Sequence, residues 1–552
     1  MIKKIAGIVF ISVISIHGMA QKSRSGEVQN TVFPKRPPLV VGIVVDQMRY
    51  DYLFRYWDHY SDKGFKRLMN QGYLCKNANF NYVPTYTAPG HACIYTGTTP
   101  AVNGIVSNDW YDRKTKKSVY CVNDTTEKPV GTTSISGKMS PRQMLSTTMT
   151  DELRLATNFK SRVIGVSLKD RGAILPAGHT ANAAYWHDPY SNNWVSSTYY
   201  IQNLPEWVNQ FNSRKIVDSL LMQPWNTLLP ISEYTESSAD DNSYEGLYKG
   251  ETRPVFPHNL PAIKPNDSEL IRRTPFGNTF TRLFAEAAID GEQLGMKGET
   301  DFLAVSFSST DYVGHMYGIN AIETEDTYLR LDLELEKFLN FLDGKYGKEN
   351  YLLFLTADHG AAHNPEFSGD QKIPSGNLMN DPMSDSLSGY LYNLFGDTNL
   401  VLSASSHNIY LNRDLIEKKK LNLEEVQNAC ARFALKFSGV AEAITATQLS
   451  KNVCRQGLEQ LVQNGFNEIR SADVCIQLQP GWLDWYTKTG TSHGTYYHYD
   501  THVPLLFYGQ GITQGSTARP ITITDIAPTI CTLLNIESPS GCTGEPILEI
   551  LK

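Results

Sequence analysis

Apolar residues fall along this chain in short unbroken runs, separated by stretches with helical spacing. Leu39 to Val45 is continuous and mostly β-branched, the pattern of a strand buried on both faces of a parallel sheet. Phe302–Phe307 and Tyr351–Leu355 share that character, and Val163–Val166 and Pro504–Tyr508 are shorter versions of it. Between Thr327 and Leu342, the leucines 331, 335, 339 and 342 recur at steps of four and three, which marks one face of a helix. Strands alternating with helices predict an α/β fold, with a central, mostly parallel sheet flanked by helices.

Two stretches break the alternation. Residues from about 180 to 275 are rich in Tyr, Trp, Asn, Ser and Pro, with Trp186, Trp194, Trp207 and Trp225 among them; they read as a cap inserted into the core. Residues from about 365 to 490 begin Gly/Asp/Ser-rich and continue into a mixed helical part, Asn422 to Phe437. They read as a second insertion into one domain spanning 39–552. Residues 21–38 are polar, lack an apolar period and end in Pro37-Pro38, as a linker does. Before them, Lys3-Lys4, the apolar run Ile5–Ile16 and the small residues up to Ala20 have the layout of a signal peptide cleaved after residue 20. The run is short for a membrane span, although an uncleaved anchor is the competing reading. The expected destination is export, periplasmic or secreted, with no stable membrane span after cleavage.

Charge and cysteine content narrow the classes. Fifty basic residues face 57 acidic ones in 552, and that balance gives no ground for a nucleic-acid partner. The cysteines are 75, 93, 121, 430, 454, 475, 531 and 542. None forms a C-x-x-C pair, which argues against a thiolate zinc site. In an oxidising compartment the expectation is a mixture of bridges and buried thiols.

Open parallel sheets bind ligands beyond the carboxyl ends of their strands, so the residues after each run matter most. The first run ends in Asp46. The run at 302–307 leads into Asp311 and His315, and the run at 351–355 leads into Asp358-His359. Singly, an Asp after a strand is more often a helix cap. Together, carboxylates and imidazoles at successive strand ends fit a catalytic zinc site. Thr87 opens an apolar helical stretch, where a hydroxyl serves equally as an N-cap or as a group facing a bound phosphate. Lys169-Asp170-Arg171 follows the run at 163–166; alone it reads as an exposed turn, and in this company as a cationic clamp on phosphate.

Val44-Val45-Asp46, Tyr86-Thr87-Ala88-Pro89-Gly90-His91, Asn108-Asp109-Trp110, Asp311-Tyr312-Val313-Gly314-His315, Ala357-Asp358-His359-Gly360, Ser492-His493-Gly494 and Thr524–Thr529 together resemble the alkaline phosphatase superfamily. Within it they are most similar to the phosphate-irrepressible, PafA-type branch of secreted monoesterases. The resemblance implies two zinc ions. One would be held by Asp46, Asp358 and His359 and would contact Thr87; the other would be held by Asp311, His315 and His493. It implies Thr87 as the nucleophile of a phosphothreonine mechanism on small phosphate monoesters, with Asn108, Lys169 and Arg171 on the phosphate. A phosphodiesterase or nucleotide pyrophosphatase of the same superfamily is the alternative, and that branch typically lacks the Lys/Arg pair. A sulfatase would need an arginine after the nucleophile motif, where this chain reads Thr87-Ala88-Pro89-Gly90. A non-catalytic exported binding protein is a further alternative, although no ligand or nucleophile position is damaged. A cofactor-independent mutase is disfavoured by the leader.

Overall fold

The expected strands pair with one another in the computed structural model, which describes residues 36–378, 382–405 and 407–552. The leader at 1–20, and all of the linker before Arg36, lie outside the described residues. The main sheet contains β1 (Leu39–Val45), β2 (Tyr73–Cys75), β3 (Pro129–Val130), β4 (Val163–Ser167) and β5 (Ala183–Asp188). It continues with β6 (Asn193–Ser197), β7 (Asp301–Phe307), β8 (Leu352–Thr356), β9 (Leu505–Gly509) and β10 (Gly515–Thr517). Their order is β10-β2-β9-β8-β1-β7-β4-β5-β6-β3.

The central strands β8, β1, β7, β4 and β5 are mutually parallel, and the sheet turns antiparallel at β9 and at β6. The unbroken apolar runs are explained by burial: every residue of β1, β7, β8 and β4 is buried, as strands covered on both faces require. One cover is α5 (Ile322–Tyr346), which buries Leu331, Leu335, Phe338, Leu339 and Leu342. Each such side chain contributes about 2 kcal/mol by leaving water.

Register sets the height at which each strand delivers its functional residue. Val44 pairs with Ser306 on one side and Thr356 on the other, and Ser306 pairs with Ser167. Asp46, Asp358 and Lys169 each follow that row by two residues, so they emerge together at one edge. Asp311 follows β7 on the first turn of α4 (Ser309–Tyr317).

Residues 183–197 are not a separate layer. They are two strands of the main sheet, in which Trp186 and Trp194 are buried, and Trp194 stacks on Phe284 at 4.2 Å. Within 365–490, an antiparallel sheet of 401–404, 408–411, 440–445 and 474–478 lies over its own hydrophobic cluster, which includes Leu387, Ile409, Val426 and Ile476. The expected mixture of bridges and thiols is corrected: all eight cysteines are free, and most are buried among apolar neighbours.

Candidate active site

Two groups of ligand-type side chains converge above the sheet edge. Asp46, Asp358 and His359 form one and Asp311, His315 and His493 the other, with the donor atoms of each group within 4.8 Å of one another. They come from β1, β8, α4 and the distant loop at 493. The groups adjoin: the rings of His359 and His493 stack at 3.4 Å and 12°. Lys169 Nζ lies 2.6 Å from Asp46 Oδ2 and 2.5 Å from Asp311 Oδ2.

The histidine tautomers are fixed by their surroundings. Nδ1 of His359 donates to the Gly360 carbonyl (2.9 Å), Nδ1 of His315 to Thr491 (2.7 Å) and Nδ1 of His493 to Thr85 (2.7 Å). A carbonyl only accepts, so Nδ1 carries a proton, and in the neutral ring Nε2 keeps its lone pair. In all three residues that lone pair belongs to the nitrogen facing the carboxylates. This backbone support is the usual way a metal-binding imidazole is oriented.

Several of these inward atoms have no hydrogen-bond partner. Asp46 Oδ1 and Oδ2, Asp358 Oδ2 and His359 Nε2 are all buried and make no hydrogen bond, although Asp46 Oδ2 has the Lys169 ammonium at 2.6 Å and Asp358 Oδ2 the His91 ring at 3.3 Å. The approach of Lys169 to Asp46 is therefore an ion pair without hydrogen-bond geometry. Orphaned buried polar atoms are costly, and four converging on one point fit a cation. His359 Nε2 is 3.5 Å from both Asp46 Oδ1 and Asp358 Oδ2. Ligands at about 2.0–2.2 Å from a tetrahedral zinc are roughly 3.3–3.5 Å from each other. In the second group His315 Nε2 is 3.1 Å and His493 Nε2 3.7 Å from Asp311 Oδ1.

Electrostatics point the same way. Burial, reinforced by Asp311 and Asp358, pushes the Asp46 carboxyl well above its ordinary range despite Lys169. Burial also pushes on Asp311, but His315 and Lys169 outweigh it and hold that carboxyl well below the usual range. His493 is driven well down by burial and by the neighbouring imidazoles, so it stays neutral. One lysine leaves the carboxylates under-compensated.

Thr87 begins α1 (Thr87–Thr96), and its Oγ1 lies 3.4 Å from Lys169 Nζ. The helix packs so tightly on the first group that a Cβ at Gly90 would fall 2.3 Å from the Asp358 carbonyl oxygen. Asn108 accepts from the Ala88 N–H (2.9 Å) through Oδ1, which ties it to the helix start one residue from Thr87. Lys169 and Arg171 stand at the N-terminus of α2 (Asp170–Ala177). Tyr120 donates to Asp170 (2.5 Å) and accepts from Arg171 Nη1 (3.1 Å), which holds the guanidinium on one side and leaves its other donors open.

Sequence reasoning overlooked several supporting residues. Gln47, in the left-handed region at φ 63°, gives its backbone N–H to Asp358 (3.1 Å) and its side chain to Asp311 (2.9 Å); it ties the two groups together. A Cβ at Gly314 would sit 2.0 Å from Gln47 Oε1. His91 donates to the Thr87 carbonyl and accepts from Ser306, each at 2.9 Å. Trp485 stacks on His315 at 4.6 Å. The step of four from Thr87 to His91 was a readable signal; the positive φ of Gln47 and the packing of Trp485 were not.

A family model described as type I phosphodiesterase/nucleotide pyrophosphatase matches residues 40–503. The chain is 48% identical to alkaline phosphatase PafA of Elizabethkingia meningoseptica, over 95% of this chain and 96% of that one. It is 48% identical to a protein of Myroides odoratus described as a calcium-transporting ATPase, over 94% and 95%. It is 47% identical to alkaline phosphatase PhoV of Synechococcus elongatus, over 97% and 96%. The crystal structure of wild type alkaline phosphatase PafA superposes with a TM-score of 0.91 at 48% identity, covering 94% of this chain and 99% of that one.

Proposed function

The chain belongs to the type I phosphodiesterase/nucleotide pyrophosphatase family, within the alkaline phosphatase superfamily, and on that premise we propose that it is a zinc-dependent phosphate monoester hydrolase working through a phosphothreonine at Thr87. Two relatives near half identity are named alkaline phosphatases, and the third name, an ATPase, also denotes phosphoryl hydrolysis. The observation that carries the reading is the convergence of unpaired buried ligand atoms beside a helix-terminal hydroxyl and a lysine.

Asp46, Asp358 and His359 would hold one ion and Asp311, His315 and His493 the other, two per chain. When bound, such paired dications supply Lewis acidity and charge for the oxygens entering and leaving phosphorus. The chain does the rest. Thr87 Oγ is presented at a helix start, within reach of Lys169; it gives its proton to solvent and attacks phosphorus while the ester oxygen departs with the bonding pair and takes a proton from water. Water then attacks the phosphothreonine, the Thr87 oxygen leaves, and inorganic phosphate is released. The side chain of His315 is 22% exposed while Asp46, Asp358 and His359 are fully buried, so the leaving group and water enter from the second group's side.

Charge favours a monoester. Two dications are balanced by Asp46, Asp311, Asp358 and ionised Thr87; Lys169 and Arg171 then match a phosphate dianion, and the Asn108 amide donates to a nonbridging oxygen. Each such preorganised donor is worth about 3 kcal/mol in the transition state. The family model's own description favours a second reading, diester cleavage. Comparing an aryl phosphate with its methyl diester separates them: the monoester should turn over faster by orders of magnitude, and a faster diester would overturn the proposal. The substrates are small phosphate esters; the charge balance gives no support for a nucleic-acid partner. The leader read over 1–20 supports an exported, periplasmic or secreted enzyme, and among the described residues no helix is long and apolar enough to cross a membrane.

A further inference from the structure

A third group of ligand-type side chains lies apart from the site described above. His59, in the turn Trp57–His59, meets Glu236 and Glu325 with donor atoms within 4.8 Å of one another. Glu325 is on the first turn of α5 and is fully buried. Its Oε2 accepts from Ser237 Oγ (2.6 Å), but its Oε1 has no partner, and neither has the buried Glu236 Oε2. His59 Nε2 stands 3.3 Å from Glu236 Oε2, without hydrogen-bond geometry, at the ligand-to-ligand spacing expected around a zinc-sized ion.

Among the described residues no lysine or arginine forms an ion pair with these carboxylates; His59 itself is the nearest partner of Glu236. Arg55 is near, but its guanidinium donates to the backbone carbonyls of Glu236 (2.5 Å) and Ile319 (3.2 Å). The next acid on the helix shows the contrast: Asp326 is fully served by Trp225, the Leu228 N–H, Tyr234 and Arg330.

We propose that His59, Glu236 and Glu325 bind a third divalent cation of the zinc class, a structural ion distinct from the catalytic pair. One imidazole and two carboxylates select zinc over calcium or magnesium, which prefer all-oxygen sites, and water completes the tetrahedron. The ion would join three segments far apart in sequence: the turn at 57–59, the loop at 236–237 and the start of α5. The backbone at 318–321, directly after the helix bearing His315, is gripped by the same parts. Arg55 donates to Ile319 and Ser238 N–H to Asn320 (2.7 Å). The ion therefore steadies the far end of α4 without touching substrate.

The test is the metal content of full-length protein desalted from zinc buffer, with melting temperature alongside. His59→Ala and Glu325→Gln should each carry one ion fewer per chain than wild type, melt lower in zinc and keep wild-type turnover. His59→Gln guards against loss of folding. An Asp358→Asn/His493→Ala background, which removes the catalytic ions, should retain one ion that His59→Ala then abolishes. Equal metal content in wild type and in both single variants would overturn the proposal, whether or not the enzyme proves to be a phosphatase.

Discussion

Two clusters in this molecule are built from imidazoles and carboxylates and organised in opposite ways. In the active site, His359, His315 and His493 each spend Nδ1 on a carbonyl and turn Nε2 toward carboxylates, of which Asp46 and one oxygen of Asp358 make no hydrogen bond. Around His258, both ring nitrogens are taken, Nδ1 by Glu251 (2.9 Å) and Nε2 by Glu323 (3.1 Å). That ring is held as a cation: burial opposes it, but the two glutamates raise it to about 9. Nearby Glu245, buried beside Glu323, is pushed up to about 9 and stays protonated. One cluster keeps its imidazole Nε2 atoms free to face its carboxylates; the other spends both nitrogens of its imidazole on glutamates. The presence of imidazoles and carboxylates does not separate them, whereas the direction of the lone pairs does.

The contrast breaks most sharply at Thr87, the proposed nucleophile. Thr87→Ala should lower monoester turnover by on the order of 10⁴-fold or more with metal content unchanged; a variant turning over normally would remove Thr87 from the chemistry. Asp358→Asn should cost nearly as much, but through lost metal, read by elemental analysis. Lys169→Ala with Arg171→Ala should reduce monoester kcat/KM by roughly 10²–10³ per residue and diester hydrolysis far less; equal losses would mean that these cations do not read the second phosphate charge.

At His258 the expected effects are on stability. His258→Ala leaves buried carboxylates unpaired and should cost about 3–5 kcal/mol, with metal content and turnover per folded molecule intact. The pH dependence has a definite sign. A histidine raised from 6.5 to about 9 on folding binds its proton more tightly in the folded state. Its contribution, on the order of 3 kcal/mol, is complete below about pH 6.5 and lost as pH rises through 9. The raised Glu245 acts in the same direction. Denaturant unfolding from pH 6 to 9.5 should show the fall in wild type and a flatter profile in His258→Ala.

Much of the centre was legible before any coordinates. The strand runs at 39, 163, 302 and 351 name themselves because burial on both faces forbids polar residues, and the register then carries Asp46, Asp358 and Lys169 to one height. What was not legible depends on alternation or distance. The strands at 183–197 hide in a Tyr/Trp/Asn-rich stretch, since a strand near a sheet edge keeps polar residues. Gln47 looks like any polar residue after a strand until its backbone conformation and its two carboxylate partners are seen. His59, Glu236 and Glu325 share no motif and meet only through tertiary packing.

Anomalous diffraction from crystals of the zinc-loaded enzyme, recorded at the zinc edge, tests the central claim most directly. Two strong peaks are expected side by side, one enclosed by Asp46, Asp358 and His359 and the other by Asp311, His315 and His493. Crystals with no anomalous density at those residues would contradict the account.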